Sequence, residues 1–99
     1  MMVEQAEGGS FAIVLDDVFD FKRVEDFRGC YEKIPLDKCK GVSIDFTHTR
    51  YMDSSALGML LNVKKHFQGA SVPVKITSVN DQIRKILTIS RFDQRFVIE

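Results

Sequence analysis

Three short β-forming runs, each followed by a stretch whose apolar residues recur at helical spacing, confine this chain to one class of architecture. Phe11-Ala12-Ile13-Val14-Leu15, introduced by Gly8-Gly9-Ser10, predicts a strand buried on both faces. Asp16–Asp20 reads as a loop carrying three carboxylates. From Lys22 the period changes: Val24, Phe27, Cys30, Tyr31 and Ile34 fall on one helical face, and Pro35 ends the helix. Gly41–Phe46 alternates as a second strand, and Thr47–Arg50 is a polar connection. Asp53-Ser54-Ser55, residue types favoured at helix starts, leads into a helix over Ala56–Phe67. Its apolar positions are Leu57, Leu60, Leu61 and Phe67, and Gln68-Gly69 closes it. Val74–Val79 is a third strand. Asn80 caps a third helix, with Ile83, Ile86, Leu87 and Phe92 on one stripe, and Phe96–Ile98 makes a short edge strand.

Strands alternating with helices of this length imply a mainly parallel sheet with crossover helices. The fold class is therefore α/β, with helices covering mainly one face of four or five strands. A length of 99 residues is that of a single domain spanning 1–99. Residues 1–9 are expected either to be floppy or to add an antiparallel edge strand through Met2–Glu7.

Charge and cysteine content narrow the function classes. Lys and Arg total 14 and Asp and Glu total 14, so the net charge is zero. A dedicated nucleic-acid binder normally carries a basic excess. Cys30 and Cys39 lack metal-ligand spacing and are expected as reduced thiols. The acidic N-terminus is unlike a signal peptide, and no run reaches the ~20 apolar residues of a membrane span. The expected location is the cytoplasm, without membrane insertion.

Residues 51–58, Tyr51-Met52-Asp53-Ser54-Ser55-Ala56-Leu57-Gly58, are the most informative stretch. They place two hydroxyls and a carboxylate where a connection becomes a helix. The first amides of that helix lack intrahelical acceptors, and its dipole favours negative charge. Ser54 or Ser55 can cap the helix there, and a phosphoryl group on either would also be tolerated. A hydrolase built on Ser54 is disfavoured. His66 lies about 18 Å along the same helix, and His48 sits in a polar loop. Asp16, Asp17 and Asp20 read as a solvated loop rather than a metal site. Lys64-Lys65-His66 with Arg84-Lys85 reads as an ordinary solvated charge cluster.

Tyr51–Leu60, following the strand Val42–Phe46, resembles the signature of STAS domains, and among them the bacterial anti-sigma factor antagonists (anti-anti-sigma factors). Val18-Phe19-Asp20 is similar to their loop bearing an aspartate, and Ser78–Leu87 with Arg91-Phe92 is similar to their third-helix segment. The resemblance implies the STAS fold and a non-enzymatic switch without cofactor, metal or catalytic residues. It implies an anti-sigma factor as partner, often itself a serine kinase, that phosphorylates Ser54, with Ser55 secondary. It also implies a PP2C-type phosphatase that reverses the modification. Asp20, Phe21, Asp53, Ser55 and Ala56 are then the partner-contact residues, with Asp53 expected either to orient the Ser54 hydroxyl or to present a charge to the kinase active site. Ala56 stands where the family usually has Gly, and Asp17-Val18-Phe19-Asp20 lacks the family's turn glycine. A final helix seen in many relatives is expected to be short or missing. A related role, as STAS subunit of a lipid-transport ATPase complex or as a scaffold in stress-signalling or chemotaxis-linked assemblies, needs no phosphorylatable serine.

Overall fold

The β-forming runs become the parallel centre of a five-stranded sheet, and one row of branched residues explains why. A computed structural model describes residues 1–99. In chain order the elements are β1 (Met2–Gln5), β2 (Ser10–Val14), β3 (Val18–Phe19), α1 (Val24–Glu32), β4 (Gly41–Asp45), β5 (Tyr51–Met52), α2 (Ser54–Gln68), β6 (Val74–Thr77), α3 (Asp81–Ile89) and β7 (Val97–Ile98). Strand order in the main sheet is β1-β2-β4-β6-β7. The β1–β2 pair is antiparallel and the other pairs are parallel. Val3, Ile13, Ile44, Ile76 and Ile98 lie opposite one another across all five strands. Ile13, Ile44 and Ile76 are fully buried, each worth roughly 1.5–3 kcal/mol of hydrophobic stabilisation.

The crossovers β2-α1-β4, β4-α2-β6 and β6-α3-β7 all step in the same direction across the sheet. With the usual right-handed connection, that places all three helices on one face. Burial agrees. Phe11, Ile13, Val42, Ile44 and Ile76 join Phe27, Tyr31, Leu60, Phe67, Ile83 and Leu87 in one core cluster of 24 residues. The other face carries Ala12, Ser43, Lys75 and Val97 in one row, and Val14, Asp45 and Thr77 in the next. Of these only Val14 is buried. The first central strand is thus covered fully on one face, not both, because no helix crosses to the second.

Four other expectations are corrected. The carboxylate loop after β2 contains a strand: β3 pairs in parallel with β5, Val18 against Tyr51 and Phe19 against Met52. The third strand stops at Thr77 because Ser78 adopts a left-handed conformation (φ 62°). Phe92 is not on α3, since Arg91 (φ 60°) breaks the chain into a separate 3-10 turn at Phe92–Gln94, although Phe92 is still buried. The buried stripe of α2 is Ala56, Met59, Leu60, Val63 and Phe67. Leu57 and Leu61 are only half buried.

Candidate functional site

The carboxyl ends of the parallel strands form a rim where three helical segments begin, each with a side-chain cap. Open α/β sheets commonly place their sites at this end. The pairing of β3 with β5 sets the register of the rim. Asp20 directly follows Phe19 and Asp53 directly follows Met52, so the two carboxylates leave the paired strands side by side. Each starts a helical segment. The Asp20 carboxylate accepts the Lys22 amide at 3.1 Å and opens a 3-10 turn, Phe21–Arg23, that runs into α1. The Asp53 carboxylate accepts the Ser55 amide at 3.0 Å and the Ala56 amide at 3.3 Å and caps α2. Asn80 caps α3 by accepting the Ile83 amide at 2.8 Å, and its side-chain NH₂ donates to the Thr49 carbonyl.

Thr49 is the one buried polar residue, and it fastens the rim from beneath. Its hydroxyl donates to the Asp16 carbonyl at 2.7 Å, while the Arg50 amide donates to the Asp17 carbonyl at 2.8 Å. The loop before α2 is therefore tied to the loop after β2 through backbone groups. Two-residue strands carry too little periodicity to announce such a brace. The only hint in the sequence is that Val18-Phe19 and Tyr51-Met52 are apolar pairs inside polar connections.

The helix cap is Asp53, and neither serine takes that part. The hydroxyl of Ser55 donates to Asp53 in a short hydrogen bond. That bond is the main reason the Asp53 carboxyl is held below the usual range. The amides of Ala56, Phe21 and Ser55 act in the same sense, against partial desolvation. Asp53 therefore holds Ser55, not Ser54. Ser54 is the first residue of α2 and is exposed. Phe21 is 70 % exposed and Tyr51 54 % exposed on the two chain segments that meet here. Ala56, expected at the contact surface, has no accessible surface: it faces the core three residues after the cap and cannot touch a partner. The rim thus brings together Asp20, Phe21, Asp53, Ser54 and Ser55 and excludes Ala56.

The remaining reactive groups are dispersed. His48 is exposed in its loop, and His66 packs against the Tyr31 ring with centroids 4.9 Å apart. Asp16 faces the Arg23 guanidinium at 3.6 Å, while Asp20 is occupied as a cap. No three His, Cys, Asp or Glu side chains converge to hold a metal ion. Cys30 and Cys39 are free and buried, and burial pushes both thiols up. No helix is long and apolar enough to cross a membrane.

Comparison with known proteins covers nearly the whole chain. The family model described as Mlab, STAS domain matches residues 2–99. A STAS-domain containing protein of Pseudomonas aeruginosa (strain UCBPP-PA14) is 38% identical over 93 residues, spanning 94% of this chain and 91% of that protein. A putative anti-sigma factor antagonist from Thermotoga maritima superimposes with a TM-score of 0.82 at 14% identity, covering 97% of this chain and 82% of that one. The Bacillus cell fate determinant SpoIIAA in its phosphorylated form gives 0.74 at 17% identity, covering 99% and 89%. At these identities the two solved structures share the fold.

Proposed function

This chain belongs to the STAS domain family, and from that premise we propose that it is an anti-sigma factor antagonist that switches partners through phosphorylation of Ser54. The observation that carries the reading is the division of labour at the start of α2. Asp53 and Ser55 satisfy each other and the helix amides, which leaves the exposed Ser54 hydroxyl outside the cap. Ser54 can therefore be modified without dismantling the helix start. SpoIIAA, a neighbour of the same fold, has been solved in a phosphorylated form, which supports the idea that this architecture tolerates the modification.

In this reading the unmodified rim binds an anti-sigma factor in the cytoplasm, and Asp20, Phe21 and Asp53 contribute to the contact. A serine kinase, in many systems the anti-sigma factor itself, transfers the γ-phosphoryl of ATP to Ser54 Oγ; the hydroxyl loses its proton and ADP leaves. A PP2C-type phosphatase hydrolyses the ester back to serine and phosphate. The chain is the substrate of this chemistry and not its catalyst. Phosphate adds about −1.5 to −2 charge at pH 7. The dipole of α2 accommodates that charge within the fold. A docked partner would bury it beside Asp20 and Asp53, where repulsion and desolvation weaken the complex. A loss of about 3 kcal/mol lowers affinity roughly a hundredfold.

The test is to incubate the protein with its cognate kinase and ATP and to map the phosphopeptide. Phosphate is expected on Ser54, and none on Ser54→Ala. Ser54→Asp should weaken binding to the anti-sigma partner with the thermal midpoint close to wild type. Phosphate elsewhere, or full switching by Ser54→Ala, sinks the reading in favour of a scaffold role.

A further inference from the structure

α2 turns one line of residues away from the core. At about 100° per residue, the buried Ala56, Met59, Leu60, Val63 and Phe67 centre on one direction. Ser54, Gly58, Leu61 and Lys65 lie opposite. A helix-interior glycine weakens a helix relative to alanine. Nothing inside the protein asks for it, since a Cβ built at Gly58 meets no atom within 4 Å. Gly58 therefore opens a notch in the outer surface through which another backbone can approach closely.

Two to three turns below Ser54, the line ends in an open hollow of about 440 Å³. Leu61 is its one hydrophobic lining residue, surrounded by Lys64, Lys65, Gln68 and Arg95. Lys64 is held in place: its ammonium donates to the Arg95 carbonyl and lies 5.1 Å from the centroid of the Phe96 ring. None of the three cations joins an ion pair, since the protein's pairs involve Arg23, Lys75 and the N-terminal amine. A neutral chain thus gathers three positive charges that no carboxylate answers around an apolar residue, at the opposite end of α2 from the Asp20 and Asp53 carboxylates.

We propose that the outward line of α2 docks an acidic amphipathic helix of a protein partner. Its apolar residues lie on Gly58 and Leu61, and its carboxylates lie among Lys64, Lys65 and Arg95. A helix suits the track because Ser54, Gly58, Leu61 and Lys65 form a straight ridge about 16 Å long, matched by apolar side chains at i, i+4 and i+7. A polyanion such as nucleic acid suits it less, because its other end would meet Asp53 and Asp20. The proposal rests on the reading that Ser54 sits at a partner surface; it places a Ser54 phosphate at the head of the docking track.

The probe is a 15-residue helical peptide with leucines at i, i+4, i+7 and i+11 and glutamates elsewhere, compared with the same peptide carrying lysines for glutamates. In amide NMR titrations the acidic peptide should shift Leu57–Gln68 and Arg95, and the basic one should not. Binding should fall at least about tenfold in Lys65→Glu, Arg95→Glu and Gly58→Leu, with the thermal midpoint of the two charge variants unchanged. The peptide assay uses unmodified protein, and Lys75→Ala, on the helix-free face of the sheet, should bind as wild type does. A misplaced phosphate would thus show only in the phosphopeptide map, and a wrong docking surface only here. Equal binding of both peptides, shifts confined elsewhere, no binding at millimolar peptide, or tighter capture by anionic phospholipid vesicles would overturn the proposal.

Discussion

Along α2 the inward face carries Ala56, Met59, Leu60, Val63 and Phe67, none more than 5% exposed, whereas the outward line carries Ser54, Gly58, Leu61 and Lys65. The inward set follows the rule of a packed interior: graded apolar sizes that fill space against the sheet and α1. The outward set breaks helix-building rules twice, with an interior glycine and a half-exposed leucine. One helix is thus optimised for folding on one side and carries residues on the other that folding does not explain. Such local inconsistencies concentrate where function is exerted.

Five substitutions probe that contrast, beginning with the largest effect. Phe67→Ala should cost about 3–5 kcal/mol in urea unfolding, the cost of emptying a fully buried aromatic site. Lys65→Ala should stay within about 0.5 kcal/mol. Comparable losses at the two positions would erase the distinction between the faces. Asp53→Asn should come next, lowering the urea midpoint by less than Phe67→Ala and changing the acid limb of stability. The native carboxyl is held low by the Ser55 hydroxyl and by nearby amides. Its stabilisation is therefore complete above the ordinary carboxylate pKa and lost as pH falls through about 4 and below. Stability measured from pH 6 to pH 2 should fall less steeply in the variant. An unchanged limb would show that the cap charge does not contribute.

Gly58→Ala should raise stability by about 1 kcal/mol, because helix propensity improves and the added methyl has open space. A destabilised Gly58→Ala would mean that the outward face is packed after all. Ser54→Ala shares the smallest expected effect with Lys65→Ala, within about 0.5 kcal/mol, since Asp53 supplies the cap. A loss of 1 kcal/mol or more would return the capping role to the serine.

What the sequence disclosed depended on how many residues share a signal. β2, β4 and β6 were legible from runs of branched residues, and α1 from Phe27, Cys30, Tyr31 and Ile34 at one spacing. The start of α2 was legible as a place but not as an arrangement. Asp53, Ser54 and Ser55 are all good caps, and only geometry assigns the cap to Asp53 and leaves Ser54 outside. The two faces of α2 were blurred because Leu57, Leu60 and Leu61 are equally apolar. Position on the helix separates them, with Leu60 fully buried and the others half covered. The β3–β5 brace was invisible because its two-residue strands depend on partners 33 residues away.

That brace also has a kinetic consequence. A pair of two-residue strands has no stability of its own and must borrow it from the sheet and helices behind it. Its contacts join distant segments, so the chain can close it only after β2 and β4 have aligned. The rim is thus expected to assemble last and to open first. In hydrogen exchange the amides of Arg50 and Tyr51 should open at lower free energy than those of the Ile13–Ile44–Ile76 row. A transiently loosened molecule would keep its core and lose its registered pair of aspartates, so an intact rim reports that folding is complete.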